Sequence, residues 1–549
     1  MAIDYAAEIR QVLSQANIAV QSVDERTFPG ERWLIAHVPA DKLLLAQSLV
    51  GEAEQHLNAL SHDDENSVSL MFRPYKEDVN AETPVERRGK LANVKIDQLI
   101  RLLEARSRTS DALPSLKYVE DPRASLAAVG ASRHQLIYGR RGVGKTALLL
   151  EAKRIAESEG DITVWVNAQP FRHLDAPTAY LRLADSIFST LLKHGGSSQS
   201  EAFSRIRAES RNIVALLEEG SASGKTVEGI LPALNIALRA VLRAGLMRLN
   251  VYIDDFYFFP RASQPSFLDY ASATLRDCDG WLKIASIERL TKTFEPSSRV
   301  GLEIPHDASK IDLDRTLEDP GAAQEFLDHM LDSYTTAVGV GKPSSIAKRR
   351  ALGLLVLASG GVPRDYLNLL ASSIVQARKS RANAQEVGRE DVMRSAGDAA
   401  ISKKRDLEQD APADTASSLL SALDILSTKV KDSGFSYFLV DMTEKSEAGY
   451  ELLAQLVDLR FVHLIQATLS DQHKGGTKYE VYTLDLSEYS DVRIKRGLNV
   501  LELENGYWYW RETGKVGKER KLTGSQVRDT LRVAPLISVR DLLGELIAE

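Results

Sequence analysis

The sequence predicts an α/β protein: a parallel sheet with helices on both faces, a small α+β domain ahead of it, and an all-helical subdomain and a helix-and-strand block behind it. Three observations carry that prediction. Between about 118 and 317, strand-like runs (QLIYG, ITVWVNA, LNVYIDDF, WLKIASI, KIDLD) alternate with helical segments, the order that builds a parallel sheet covered on two sides. From 318 to about 405 the strand signals stop and helical periods continue. A length of 549 residues, at roughly 100 to 200 residues per domain, makes three or four domains that each bury a core.

Composition narrows the function classes. Hydrophobic residues are 44% and charged residues 26% of the chain, the mix of folded proteins rather than of a disordered segment. The formal net charge of -7 gives no bulk attraction to nucleic acid or an anionic membrane, so any such binding needs a local patch. A single cysteine, Cys278, excludes an intramolecular disulfide and a cysteine-built zinc or iron-sulfur centre. An intracellular, cytoplasmic chain is expected. The first residues carry Asp4 and Glu8 in an amphipathic pattern rather than a basic segment followed by an apolar one. The longest apolar run, from Ala351 to Val362, is far short of the ~20 residues of a membrane helix, so no membrane partner is expected.

The elements follow in order. Residues 1–75 read as a helix (Ile3 to Gln15), strands near Ile18 to Val23 and Trp33 to His37, a helix from Asp41 to Leu60 and a strand from Ser67 to Phe72. This small α+β domain shows no motif that assigns a chemistry. His62 to Glu65 (HDDE) has cation-ligating residue types but reads as a solvated loop. Residues 76–117 are polar, with one helical segment (Val94 to Ser107) between Pro84 and Pro114, and read as a linker containing a helix. The α/β core spans 118–317, the helical lid 318–405, and the final block 406–549. No internal repeat is evident.

Directly after the strand QLIYG stands Gly139-Arg140-Arg141-Gly142-Val143-Gly144-Lys145-Thr146, which satisfies G-x-x-x-x-G-K-[ST] with a helix-like run behind it. Glycines let successive backbone N–H groups turn inward onto phosphate oxygens, and the helix N-terminus adds about half a positive charge there. Lys145 is suited to the outer phosphates of a nucleoside triphosphate. Thr146 offers a hydroxyl to magnesium, a hard cation that prefers oxygen and keeps several waters. About 110 residues downstream LNVYIDDF ends a second apolar strand in two acids. Asp254 is the expected magnesium ligand and Asp255 the carboxylate that polarises the attacking water. Adjacent carboxylates closing a buried strand are costly unless a cation meets them.

These motifs resemble the additional-strand P-loop ATPases, the AAA+ proteins and their STAND relatives, and in particular the AAA+ branch of replication-initiator and origin-recognition ATPases. Further matches come in that family's order. WLKIASI ends at Ser286, where those proteins carry a polar sensor of the γ-phosphate, and Glu288 and Arg289 follow. SGGVPRDYLNLL is similar to the family's lid sensor, with Gly361, Pro363 and Arg364 matching. By resemblance Arg289 is a candidate finger for a neighbouring subunit's site, with Arg299 competing. As residue types, Ser286 also fits a plain strand end, and the arginines fit surface charges. The resemblance implies ATP and Mg²⁺ as ligands, hydrolysis to ADP and phosphate, and a homo-oligomer. One departure points to slow turnover: the acidic strand ends Asp-Asp where many strongly hydrolysing members have Asp-Glu. Residues 1–117 lie outside the resemblance.

The stretch from Phe435 to Leu486 reads as helices, then two strands joined by a Gly-Gly turn, and resembles the winged-helix domain that follows the lid in initiator-type ATPases. Its candidate groove helix carries Glu447, Glu451 and Asp458, the wrong sign for phosphate. The possible wing offers His473, Lys474 and Lys478. Farther on, Arg493, Lys495, Arg496, Arg511, Lys515, Lys518, Arg520 and Lys521 surround Tyr507, Trp508, Tyr509 and Trp510. That interleaving suits stacking on exposed bases, while the alternation of YWYW also suits a strand with one pair facing a core.

Two functions are therefore expected as rivals. One is an ATP-binding and ATP-hydrolysing switch that passes nucleotide state to DNA or a protein partner through 406–549, with anti-phage defence or mobile-element control as settings suggested by analogy. The other is a STAND-type nucleotide-gated sensor that recruits an effector with little turnover. A small-molecule kinase is disfavoured, since the lid carries a sensor motif and no second substrate pocket is identifiable.

Overall fold

A computed structural model describes residues 4–16, 18–28, 31–39, 42–60, 67–75, 89–106, 118–119, 125–196, 199–410, 413–472, 474–489, 497–514 and 518–547. His62 to Glu65, Pro84, Pro114, His473, Arg493, Lys495, Arg496 and Lys515 lie outside the described residues. The chain divides into two compact units, 1–87 and 88–549.

In the first unit α1 (Tyr5–Gln15) is followed by β1 (Ser22–Phe28), β2 (Glu31–Pro39), α2 (Leu43–Ser48), α3 (Val50–Leu60) and β3 (Ser67–Tyr75). The sheet order is β1-β2-β3, with β1 antiparallel and β3 parallel to β2. Asp4 caps α1 by accepting the Ala7 N–H. Ile9, Leu13, Leu34, Val38, Leu57 and Phe72 close the core. The first strand lies later than the apolar Ile18 to Val23 suggested: it begins at Ser22 and runs through polar Asp24 to Thr27 as an edge strand paired with β2.

The second unit opens with α4 (Val94–Arg106) and α5 (Ser125–Val129) and then enters the α/β core: β4 (His134–Tyr138), α6 (Lys145–Ser158), β5 (Ile162–Asn167), three long helices α7 (Ala176–Gly195), α8 (Glu201–Glu218) and α9 (Gly224–Gly245), β6 (Leu249–Asp254), α10 (Gln264–Leu275), β7 (Gly280–Ser286), the short pair β8 (Phe294–Glu295) and β9 (Val300–Gly301), and β10 (Ala308–Asp312). All five strand-like runs of the sequence form one parallel sheet in the order β10-β4-β7-β6-β5. β7 thus lies between the strand that leads into the glycine loop and the strand that ends in the two acids, which is the P-loop α/β architecture with its additional strand. Alternate residues face opposite layers. Leu136, Val251, Ile253 and Ile284 pack with Tyr180, Leu183, Leu238 and Phe267 of α7, α9 and α10. Ile137, Tyr252 and Ala285 pack with Val129, Leu148 and Leu149 of α5 and α6. Asp175, Ser200 and Ser223 cap the three inserted helices, each accepting from an N–H three residues on.

The lid comprises α11 (Pro320–Ala337), α12 (Arg349–Ser359), α13 (Pro363–Ser380) and α14 (Arg389–Asp410). α4, read from the sequence as a helix within a linker, belongs to this lid: Ile96, Leu99 and Leu103 are buried in its core, and Arg378 binds the Leu91 carbonyl at 2.8 Å and Asp97 at 2.6 Å. The polar flanks that suggested a linker conceal a helix whose apolar face is covered.

The last block consists of α15 (Ala413–Asp432), β11 (Tyr437–Asp441), α16 (Ala448–Asp458), β12 (Val462–Ser470), β13 (Lys478–Leu484), β14 (Asn499–Glu504), β15 (Tyr507–Glu512), β16 (Glu519–Lys521) and α17 (Gly524–Arg532). Two corrections to the sequence reading arise here. YFLVD, read with the helices, is a strand in a sheet of order β11-β13-β12. A five-residue apolar run does not distinguish the two by period, and its aromatic and β-branched residues favour the strand. The aromatic, basic tail is a second sheet, β14-β15-β16, turned at Asn505-Gly506 with φ of 51° and 75°. Asn-Gly between alternating residues is the hairpin signal the sequence carried. Trp508 faces the core and Tyr507 is exposed, so the aromatic run splits by strand alternation. Glu502 on β14 is 2% exposed and receives Arg350 at 2.8 Å, Arg389 at 3.0 Å and Arg511 at 3.0 Å. Lid, α4 and final block share a continuous apolar core running from Leu91 to Leu542.

Candidate functional site

The glycine loop joins β4 to α6 at the carboxyl ends of the parallel strands, where α/β proteins place ligands. Gly142 and Gly144 have φ of 88° and 106°, backbone that side chains strongly disfavour. A Cβ on Gly142 would also stand 2.9 Å from the Arg364 Cβ, so the loop and the lid approach closely because this residue has none. The Lys145 ammonium folds over the loop and donates to the carbonyls of Gly139 at 2.6 Å and Arg140 at 3.0 Å. The Val143 N–H meets the same Arg140 oxygen at 3.5 Å. Burial pulls Lys145 down to about 8, opposed by the carboxylates of Asp314, Asp255 and Asp254 and aided by Arg364. A phosphate would restore to this ammonium the full countercharge that two carbonyls lack.

Asp254 ends β6 and is 2% exposed. Burial, then the neighbouring Asp255, hold its carboxyl up at about 6, while hydrogen bonds from Thr146 and the Asp255 N–H pull the other way. The Thr146 hydroxyl and Asp254 carboxylate are thus hydrogen-bonded neighbours, a pair of hard oxygen donors that fits Mg²⁺ sharing its shell with phosphate and water. Among the described residues no group of three or more His, Cys, Asp or Glu could hold a metal unaided. Asp255 adopts a left-handed conformation with φ 54°. Its carboxylate accepts from the Tyr257 hydroxyl, which in turn accepts from Arg141.

The side chains of the two loop arginines are engaged outside the loop, so it is their backbone that lies in the glycine turn. Arg140 is 8% exposed. Its backbone N–H and Nε donate to Asp314 at 2.9 and 3.1 Å, and its other end reaches the carbonyls of Arg315 and Gly360. Arg141 lies over the rings of Tyr257 and Phe258 at 5.3 and 5.8 Å. Between two glycines, sequence does not say which side of the loop a side chain takes.

Ser286 closes β7 opposite Tyr138 of β4, the expected strand end, and its hydroxyl shares a 2.6 Å hydrogen bond with Thr291. Arg364 opens α13, its N–H donating to the Gly142 carbonyl at 3.3 Å. Arg289 binds Asp458 at 2.8 Å and Glu451 at 2.7 Å on α16 of its own chain, so in this arrangement it is not presented as a finger to a neighbour. Arg299 stands in the β8–β9 turn with φ 55°.

Three contributors went unread in the sequence. Asp314, just beyond β10, anchors Arg140; a carboxylate past a strand of the same sheet was the available signal. Tyr257 touches Asp255 from a run of aromatics that looks like plain core. Arg460 comes from beyond α16: one terminal nitrogen donates to Asp365 at 3.0 Å and to the Arg141 carbonyl at 3.2 Å, with Nε 3.0 Å from the second Asp365 oxygen.

No protein-family model matches the chain, and no curated protein matches it. Solved structures do. Cdc6p from Pyrobaculum aerophilum is 15% identical, with 71% of this chain and 94% of that chain covered at a TM-score of 0.34. The Orc1 protein of Aeropyrum pernix, solved in complex with DNA, is 17% identical, covering 69% and 97% at a TM-score of 0.34. A RuvB variant from Thermotoga maritima is 13% identical, covering 56% and 72% at a TM-score of 0.24. The likeness is one of fold in outline, and the chemistry rests on the cradle itself.

Proposed function

We propose that the chain is an AAA+-type ATP-binding and ATP-hydrolysing switch whose lid and final block carry nucleotide state to a partner. The observation that carries the reading is the convergence of Lys145, Thr146, Asp254 and Asp255 at the ends of β4 and β6, with Arg364 of the lid against the same loop. Loop amides and the α6 N-terminus bind the phosphates, and Lys145 gives up two carbonyls for phosphate oxygens. Thr146 and Asp254 would hold Mg²⁺, which when bound neutralises charge on the transferring phosphoryl group. Asp255, oriented by Tyr257, accepts a proton from the attacking water. Arg364 senses the outer phosphate from the lid, so loss of that phosphate loosens the lid from the loop. Calorimetry tests the assignment: Lys145→Ala should abolish ATP and ADP binding, and unchanged affinity would refute it.

Charge placement bears on the partner. Arg511 is held by Glu502, Glu504 and Glu519, and Lys518 by Glu512, so these cations of the tail are already paired. α16 meets the core through its acids. The residues 413–484 have the helix, strand, helix and hairpin order of a winged-helix-like unit, yet their polarity favours a protein partner over DNA. The docking of α16 on the nucleotide site also supports the rival reading, a STAND-type sensor with little turnover. Turnover with and without duplex DNA separates them: stimulation favours the switch acting on DNA, and a stoichiometric ATP-bound state with negligible rate favours the sensor.

A further inference from the structure

Arg460 is assigned no role by the sequence motifs, and four observations single it out. It follows the last turn of α16 at φ 63°, in the position after a helix where glycine is the common residue and where any other side chain is strained. Its guanidinium pairs with Asp365, the neighbour of the sensor arginine Arg364: one terminal nitrogen donates to a carboxylate oxygen at 3.0 Å, and Nε stands 3.0 Å from the other oxygen without an aligned hydrogen bond. The same guanidinium donates to the Arg141 carbonyl inside the glycine loop. The next peptide carbonyl, that of Gly142, is held from the lid by the Arg364 N–H.

We infer that Arg460 is a positioning residue for nucleotide binding, through which the final block sets the shape of the phosphate cradle. In a trans peptide unit the carbonyl and the N–H point in opposite directions. Fixing the Arg141 oxygen on the outer side of the loop therefore keeps the Gly142 N–H toward the phosphate side. The Arg364 contact does the same for the Val143 N–H, which already converges with Lys145 on one oxygen. Two consecutive amides of the cradle are thus oriented from outside the α/β core, one by the lid and one by the final block. Binding linkage is reciprocal: if seating of α16 favours the anion-ready loop, a bound nucleotide favours seated α16 by the same factor. A partner that pulled α16 from the core would open Arg460 and loosen the nucleotide. Lysine would not substitute, because its ammonium stands where the guanidinium carbon does and ends one bond short of the terminal nitrogen that donates to the carboxylate and the carbonyl together.

The inference rests on the ATP-site reading, and the test separates the two. In the full-length chain Arg460→Gly removes the guanidinium while suiting the observed backbone conformation, and Arg460→Lys keeps the charge. ADP and Mg²⁺-ATP are titrated by calorimetry, and hydrogen exchange across residues 448–458 is followed with and without nucleotide. The expected result is a wild type whose α16 gains protection on nucleotide binding, an Arg460→Gly variant that binds about 5- to 20-fold more weakly and gains none, and little rescue by Arg460→Lys. A folded Arg460→Gly with wild-type affinity and wild-type protection overturns the inference and leaves the ATP site standing. Full rescue by lysine also overturns it, since charge alone would then suffice. A wild type that binds no nucleotide overturns both readings.

Discussion

Asp254 and Asp255 are neighbours with different surroundings, and that difference supports the separate roles proposed for them. Asp254 is buried against Thr146, whereas Asp255 turns through a left-handed residue and meets the Tyr257 hydroxyl. A carboxylate off the strand axis and held by a hydrogen bond is placed to take a proton, not to share a metal. Asp255→Asn should therefore leave ATP affinity within about twofold while turnover falls by ~10²–10⁴, the usual contribution of a general base. Parallel calorimetric and phosphate-release measurements check this, and a variant that loses binding and turnover together would make Asp255 a ligand-site residue instead. At this scale legibility followed backbone chemistry. Gly139, Gly142, Gly144, Lys145, Thr146 and both acids were readable because spacing dictates where their functional atoms can be. The direction of the Arg140 side chain was not, because it is held by Asp314, and nothing within the loop motif encodes that distant carboxylate.

The strands β4 and β7 carry a feature that their sequence shows only as two polar letters in apolar runs. His134 accepts the Leu282 N–H through Nδ1 at 3.0 Å, and Lys283, 1% exposed, donates to the carbonyls of Ala131 and Arg133 and to Gln135. Burial first, then the Lys283 ammonium, pulls His134 from 6.5 down to about 4, with Asp307 opposing. The folded chain thus keeps this ring neutral over a range in which the unfolded chain protonates it. Its contribution to stability is complete above about pH 6.5, declines as pH falls, and levels off below about 4, a loss of about 3 kcal/mol. His134→Asn places an amide oxygen close to Nδ1 and removes the titration. Denaturant midpoints at pH 7 and 5 should fall more for the wild type than for this variant; equal losses would clear His134 of the acid sensitivity. At the scale of elements, the five core strands were readable because buried parallel strands are continuous apolar runs bounded by turns. β11 was not, because it is too short for its period to speak; in the β14–β16 sheet the alternation of YWYW was readable, but not the buried Glu502 that the neighbouring strand and the lid neutralise.

At the scale of the whole second unit, the apolar clusters identify which parts travel together. Two clusters cover the faces of the α/β sheet, and a third runs unbroken through α4, the lid and the final block. Across the boundary between them run polar contacts made largely by arginines: Arg140 to Gly360, Arg289 to Glu451 and Asp458, and Arg460 to the Arg141 carbonyl. A dry shared core resists shear because its side chains interdigitate, whereas charge-assisted hydrogen bonds can be exchanged for water or phosphate at small net cost. The lid and final block should therefore move as one body against the α/β core when nucleotide exchanges. Cysteines introduced on a Cys278→Ser background at exposed Glu219 of the core, Lys379 of the lid and Val533 of the final block allow paired distance measurements. With ATP, ADP and no nucleotide, the 379–533 distance should stay constant while 219–379 and 219–533 change together. A 379–533 distance that tracks nucleotide would mean that the final block swings on the lid, and the continuous core would then be a closed state that opens rather than a rigid arm.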